Sequence, residues 1–94
     1  MLSSEFKLEP VDNVNAGFFD FLAAEVKTGL TFCSIAGTSR DEQRIRRNQG
    51  NARLAYDTLV RFMKKATLTT HEKASLERMI ARLRRELQAL GESV

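Results

Sequence analysis

The chain has 94 residues, of which 43% are hydrophobic, 29% charged and 7% aromatic. These values are typical of one small globular domain and exclude an intrinsically disordered segment. A single Cys excludes an intramolecular disulfide, and we expect a protein of the reducing cytoplasm. The sequence has no signal-peptide pattern at its start. It also has no run of about 18 apolar residues, so no membrane span is expected.

Charge is unevenly distributed along the chain, whose net charge is +3. Residues 1–39 carry two Lys against five Asp or Glu, whereas residues 40–86 carry thirteen Lys or Arg against six Asp or Glu. Ten of the fifteen basic residues are Arg, whose guanidinium groups suit bidentate contacts with phosphate or carboxylate. This asymmetry favours an anionic partner.

Residues 1–13 predict an extended N-terminal arm. Polar and apolar residues alternate from Glu5 to Glu9, and Pro10 ends the alternation. We expect Phe6 and Leu8 of this arm to lie on the surface of the folded body.

Apolar residues recur every three or four positions over residues 14–36, which predicts the first helix. Gly37 is expected just after its end, where a left-handed backbone costs glycine nothing. Gly29, inside the helix, is expected to permit close approach by a neighbouring element. Three residues are candidate N-caps for this helix: Asp12, Asn13 and Asn15.

Two capping-box patterns mark the next helices. Residues 39–42 read Ser-Arg-Asp-Glu and predict a second helix over about 40–66. Residues 69–72 read Thr-Thr-His-Glu and predict a third over about 70–90, which Gly91 stops. The second helix contains the polar stretch 48–51, through which we expect it to continue.

The connections between the predicted helices are short, which favours antiparallel neighbours. We therefore expect an all-α protein, an elongated antiparallel three-helix bundle over residues 14–91 preceded by the arm. On a heptad count, the core positions of the third helix are Leu76, Leu83 and Leu90 at d and Ile80 and Leu87 at a. Leu54 and Val60 lie outside the core face of the second helix, so that helix is expected to touch two neighbours.

The residue types needed for catalysis and metal binding are scarce. Cys33 lies on the apolar face of the first helix, and His71 lies in the first turn of the third. Nothing in the sequence places them together as a nucleophile and base. Two candidate ligands are too few for tetrahedral zinc, and no phosphate-binding glycine motif is present. We expect neither enzyme activity nor a cofactor.

Two sets of residues are candidates for contact with a partner. The apolar set, which predicts a surface for a protein partner or a second copy of the chain, is Leu54, Val60 and Met79. The basic set, which predicts an anion or nucleic-acid site, is Arg40, Arg44, Arg47, Arg78, Arg82 and Arg85. We favour a small intracellular helical interaction module, as a monomer or a homodimer, over a nucleic-acid-binding protein. No aromatic side chains suited to base stacking are interleaved with the Arg residues.

Overall fold

The computed structural model describes the backbone of residues 2–94 and the side chains of residues 17–94. Its elements are three helices, α1 (Leu2–Thr38), α2 (Glu42–Met63) and α3 (Thr70–Ala89), with no strand among the described residues. The helices form one bundle in which α1 packs against both α2 and α3. The predicted all-α three-helix bundle is therefore confirmed.

Helix α1 begins earlier than the sequence predicts. Its first residue is Leu2, whereas the periodicity placed the start near residue 14, after the extended arm. Asp and Asn residues that could cap a helix near residue 14 are also tolerated inside a longer one, so candidate caps do not fix a start. The expected packing of Phe6 and Leu8 on the body lies outside the described side chains.

Helix α1 also ends one residue beyond the expected glycine stop. Gly37 is helical, and Gly91 is the glycine with positive φ among the residues described. The Ser39 N–H donates to the Ile35 carbonyl at 3.0 Å, and the Thr38 hydroxyl donates to the Ser34 carbonyl at 2.8 Å. These bonds satisfy the last turn without a left-handed residue, so Gly37 is not needed as a cap.

Asp41, rather than Ser39, is the N-cap of α2. Its backbone is extended, and its carboxylate Oδ1 accepts a hydrogen bond from the Gln43 N–H at 3.1 Å. Ser39 Oγ accepts instead from the N–H of Asp41 at 3.3 Å. The predicted capping box over residues 39–42 is therefore wrong. With Asp41 as the N-cap, its carboxylate accepts from the N–H of Gln43, whereas a capping box on Ser39 would have used the N–H of Glu42.

Helix α2 is continuous from residue 42 to residue 63, including the polar stretch 48–51. Asn48 is buried there, and its Nδ2 donates to the Arg44 carbonyl at 2.8 Å, so its burial leaves no unsatisfied polar group. The helix ends three residues before the expected position. The N–H groups of Lys65 and Ala66 both bond to the Phe62 carbonyl and close the chain into a turn.

The capping box predicted for α3 is confirmed. Thr69 Oγ1 accepts from the Glu72 N–H at 3.1 Å, and Glu72 Oε1 accepts from the Thr69 N–H at 2.9 Å. The two bonds satisfy N–H groups that the first turn would otherwise expose. The sequence therefore predicts the first residue of α3 correctly.

Gly91 ends α3 as predicted, with a φ of +98°. The Glu92 N–H donates to the Leu87 carbonyl and the Gly91 N–H to the Gln88 carbonyl, each at 3.0 Å. This paired pattern is the Schellman motif, and a glycine adopts its positive φ without strain. The chain direction reverses here, so residues 92–94 turn back towards the bundle.

The core is a column of apolar side chains at the line where the three helices meet. Its most buried members are Leu22, Val26, Cys33, Ala52, Leu59, Leu76, Leu83 and Leu87. Gly29 lies in the same column. A Cβ added there would be 2.9 Å from Leu83 Cδ2 and 3.3 Å from Ala55 Cβ. The missing side chain therefore lets α1 approach both neighbours, as the sequence predicted.

Contacts at the two ends of the bundle give the helix directions. Phe18 of α1 packs against Phe62, in the last turn of α2, with ring centroids 6.1 Å apart. Glu92, just after α3, bonds to Gln49 and Arg53 in the first half of α2. Helix α2 is therefore antiparallel to both α1 and α3, in agreement with the short connections.

Candidate interaction surface

The three apolar residues predicted to face a partner do not form one patch. Leu54 is 65% exposed and lies beside the groove between α1 and α2. Val60 is half-buried and lines the groove between α2 and α3. Met79 is half-buried and packs against the core. Of the three, Leu54 alone presents a large apolar surface to solvent.

Leu54 belongs to a shallow groove of about 270 Å³ along the seam of α1 and α2. Side chains on the outward faces of both helices line the groove. We name this surface the α1–α2 face, and it comprises Phe21, Glu25, Thr28 and Phe32 of α1 with Asn51, Leu54, Thr58 and Phe62 of α2. Residue spacings of three and four on both helices place these side chains in line along one side of the bundle.

Three Phe rings form a cluster at one end of the α1–α2 face. The rings of Phe18 and Phe21 are stacked at 6.4 Å between centroids, and each meets the ring of Phe62 edge-on, at 6.1 and 6.2 Å. These are favourable aromatic geometries. The guanidinium of Arg61 lies over the Phe62 ring, 5.8 Å from its centroid. A cation therefore borders the cluster on its solvent side.

Phe21 is the surface residue that the sequence interpretation missed. It is one of the apolar residues of the predicted first helix, yet 46% of it is exposed. Phe21 and Leu54 are the two large hydrophobic residues that are exposed among residues 17–94. Phe21 directly precedes Leu22, which places it about 100° around the helix from the core line. This angle is the sequence signal from which the exposure of Phe21 could have been predicted.

The six predicted anion-binding Arg residues are all exposed, but they do not converge on one site. Arg44 lines a small cavity beside the α1–α2 turn, with Ile35, Thr38 and Ser39. Arg82 lines a different groove, between α1 and α3. The basic surface is therefore divided between two sides of α1.

Ion pairs account for few of the basic side chains. Three join residues within 17–94: Arg46 with Glu42 at 3.3 Å, and Arg53 with Asp57 and Glu92 at 3.1 and 3.0 Å. Arg53 and Asp57 are four residues apart on α2, a spacing at which opposite charges on a helix surface meet. None of the three pairs involves Arg44, Arg47 or Arg61.

The groove between α1 and α3 has a volume of about 580 Å³ and contains Cys33 in its wall. Burial raises the pKa of the Cys33 thiol, and the nearby Glu86 carboxylate raises it further. A buried thiol with a raised pKa is a poor nucleophile, and Cys33 packs within the core column. His71 is exposed at the other end of α3. It lies fifteen residues before Glu86, about 22 Å along the helix axis.

The described residues contain neither a candidate metal site nor a candidate membrane span. No group of three or more His, Cys, Asp or Glu side chains in that part of the chain could hold a metal ion. No helix there combines the length and the hydropathy needed to cross a bilayer.

Comparisons with known proteins identify no relative. No protein-family model, curated protein or solved structure matches the chain.

Proposed function

We propose that this protein is a small helical interaction module of the cytoplasm, without catalytic activity, that binds a protein partner through the α1–α2 face. One observation carries the proposal. Phe21 and Leu54, the exposed large hydrophobic residues among residues 17–94, both lie on this face. Large apolar side chains grouped on one face of a small protein are typical of an interaction site.

The construction of the face supports this reading. Phe21 is held by two neighbouring rings, so this anchor is ordered before a partner arrives, and Leu54 projects from the middle of a continuous helix. Anchors that are already ordered lose little conformational entropy on binding. Aromatic residues are also enriched at the centres of protein–protein interfaces.

Nucleic-acid binding is the less favoured alternative. The exposed Arg residues could contact phosphates, but Arg44 and Arg82 line separate cavities on two sides of α1. A surface that follows a nucleic-acid backbone needs its cations along one continuous track. The exposed apolar anchors have no role in that alternative.

Site-specific photo-cross-linking in the source cells tests the proposal. A photoreactive amino acid replaces Leu54 in one variant and Arg85, an exposed residue of α3, in a matched control. We expect a discrete protein adduct from position 54 and none from position 85. Thr28→Arg, which fills the groove with a long charged side chain, should abolish the adduct without changing the melting temperature. Adducts of equal yield at both positions, or none at position 54, would overturn the proposal.

A further inference from the structure

The α1–α2 face is bordered by positive charge, and this inference rests on the function proposed above. Arg47 and Arg61 lie seven residues before and after Leu54, so the three side chains emerge from the same side of α2. Both Arg residues are exposed and take part in none of the ion pairs within residues 17–94. Arg44 extends this border towards the α1–α2 turn. Glu25 is the acidic residue in the groove lining.

The apolar positions follow the period of an α-helix. Phe21 and Phe32 are eleven residues apart on α1, which separates them by about 16 Å along its axis. Leu54 lies across the groove from the middle of this interval, since it shares the groove with Glu25, Thr28 and Phe32. A straight groove between two antiparallel helices accepts a third helix along its length. The face therefore fits about three turns of an amphipathic helix.

Charge argues against a second copy of the chain as the occupant. In a symmetric dimer the same face of each copy meets its counterpart, and the Arg borders would oppose each other. Three Arg residues border this face, and the groove lining contains one Glu. Like charges brought together at an interface oppose association, whereas carboxylates placed opposite them favour it.

We propose that the α1–α2 face binds an acidic amphipathic helix of a partner protein. The apolar side chains of that helix contact Phe21, Phe32 and Leu54, and its flanking carboxylates pair with Arg47 and Arg61. The Arg61 guanidinium lies over the Phe62 ring, which places its charge beside the apolar part of the face. Arg also suits a carboxylate partner because its planar group donates two parallel hydrogen bonds.

Designed peptides test the proposal with the full-length chain. Three helical peptides of about 18 residues share Leu at positions i, i+4, i+7 and i+11 and carry Glu, Gln or Lys at the flanking positions. We expect fluorescence anisotropy to show the Glu peptide binding at least about tenfold more tightly than the Gln peptide, with no binding of the Lys peptide. Affinity for the Glu peptide should fall as salt is raised, because the rim charges are exposed.

A pair of double variants locates the effect. Arg47→Glu with Arg61→Glu should weaken the Glu peptide by about tenfold or more and make the Lys peptide bind. Arg78→Glu with Arg85→Glu makes the same change in net charge on the outer face of α3, and should change affinity less than about twofold. Equal effects from the two double variants would show that general charge, not this face, governs binding.

The remaining outcomes separate this proposal from the one on which it rests. Equal binding of the Glu and Gln peptides would overturn the acidic partner but leave the interaction face. Cross-links at position 54 without binding of any peptide would show a partner that is not an acidic helix. A dimer in sedimentation that Leu54→Glu dissociates would make a second copy the occupant. Duplex DNA binding lost in the Arg47/Arg61 variant would point to nucleic acid and overturn the proposal.

Discussion

The junction of α1 with α2 and the junction of α2 with α3 are built from residues of different size. Small residues form the middle of the first, where Gly29 meets Ala55 with Ala52 beside them, and Phe rings close one end of it. Larger side chains, among them Tyr56, Val60 and Ile80, line an open groove of about 350 Å³ at the second. Helix α1 packs most extensively on α2, whereas α2 and α3 touch each other least. Side-chain size at the contact therefore sets how closely each pair approaches.

The second junction is completed by polar contacts from residues 92–94. Glu92 accepts hydrogen bonds from Gln49 and Arg53 on α2. The main-chain oxygen of Val94 accepts from Arg84 and Gln88 on α3, and the Val94 side chain packs on the core. The first junction thus depends on apolar packing and the second partly on charge. Their responses to mutation and pH should differ accordingly.

The largest expected effect comes from the point where all three helices meet. Leu83→Ala should lower the free energy of unfolding by about 2–5 kcal/mol, because Leu83 is fully buried and its loss leaves a cavity. Urea denaturation measures the change. Leu54→Ala is the matched control, with an expected change below about 0.5 kcal/mol, because its side chain is 65% exposed. Sedimentation should show the same oligomeric state for both. Dissociation of a dimer by Leu83→Ala would contradict its place in the core.

A smaller effect, whose sign depends on the background, tests the close approach at Gly29. In the unaltered chain, Gly29→Ala places a Cβ 2.9 and 3.1 Å from the two terminal carbons of Leu83. We expect a loss of about 1 kcal/mol, since overpacking outweighs the gain of about 1 kcal/mol in helix propensity. In the Leu83→Ala background those carbons are gone, and the same change should stabilise the protein. Equal effects in the two backgrounds would contradict the contact.

Much of the packing around Gly29 and Leu83 could be predicted from the sequence. Leu76, Leu83 and Leu87 follow the helical period, and a glycine within an apolar helical stripe predicts a close neighbour. The Thr69 capping box and the Gly91 stop were also predicted correctly, because each depends on residues within five positions of one another. Local patterns of this kind can be predicted from the sequence, because the residues that interact are close together in the chain.

Features that depend on competition between neighbouring caps, or on contacts between residues distant in sequence, could not be predicted. Ser39 and Asp41 can both cap α2, and the choice depends on where the preceding turn leaves each side chain. The separation of Arg44 from Arg82 depends on how the helices are arranged around α1. The bridge from Glu92 to α2 spans about forty residues of sequence and leaves no periodic signal.

The smallest expected effect concerns that bridge and its dependence on pH. The hydrogen bonds from Gln49 and Arg53 lower the pKa of Glu92 in the folded protein. A carboxyl group with a lowered folded pKa stabilises the protein above its unfolded pKa, and this contribution is lost as pH falls through the folded value. Glu92→Gln should therefore flatten the decline in melting temperature on acidification from about pH 5 to pH 3. It should destabilise the protein slightly at pH 7, far less than Leu83→Ala does.

Glu77→Gln is the matched control, because it removes the same charge from α3 without touching the bridge. It should leave the decline of melting temperature on acidification closer to that of the unaltered protein. An identical slope in Glu92→Gln and the unaltered protein would show that the second junction does not depend on this carboxylate.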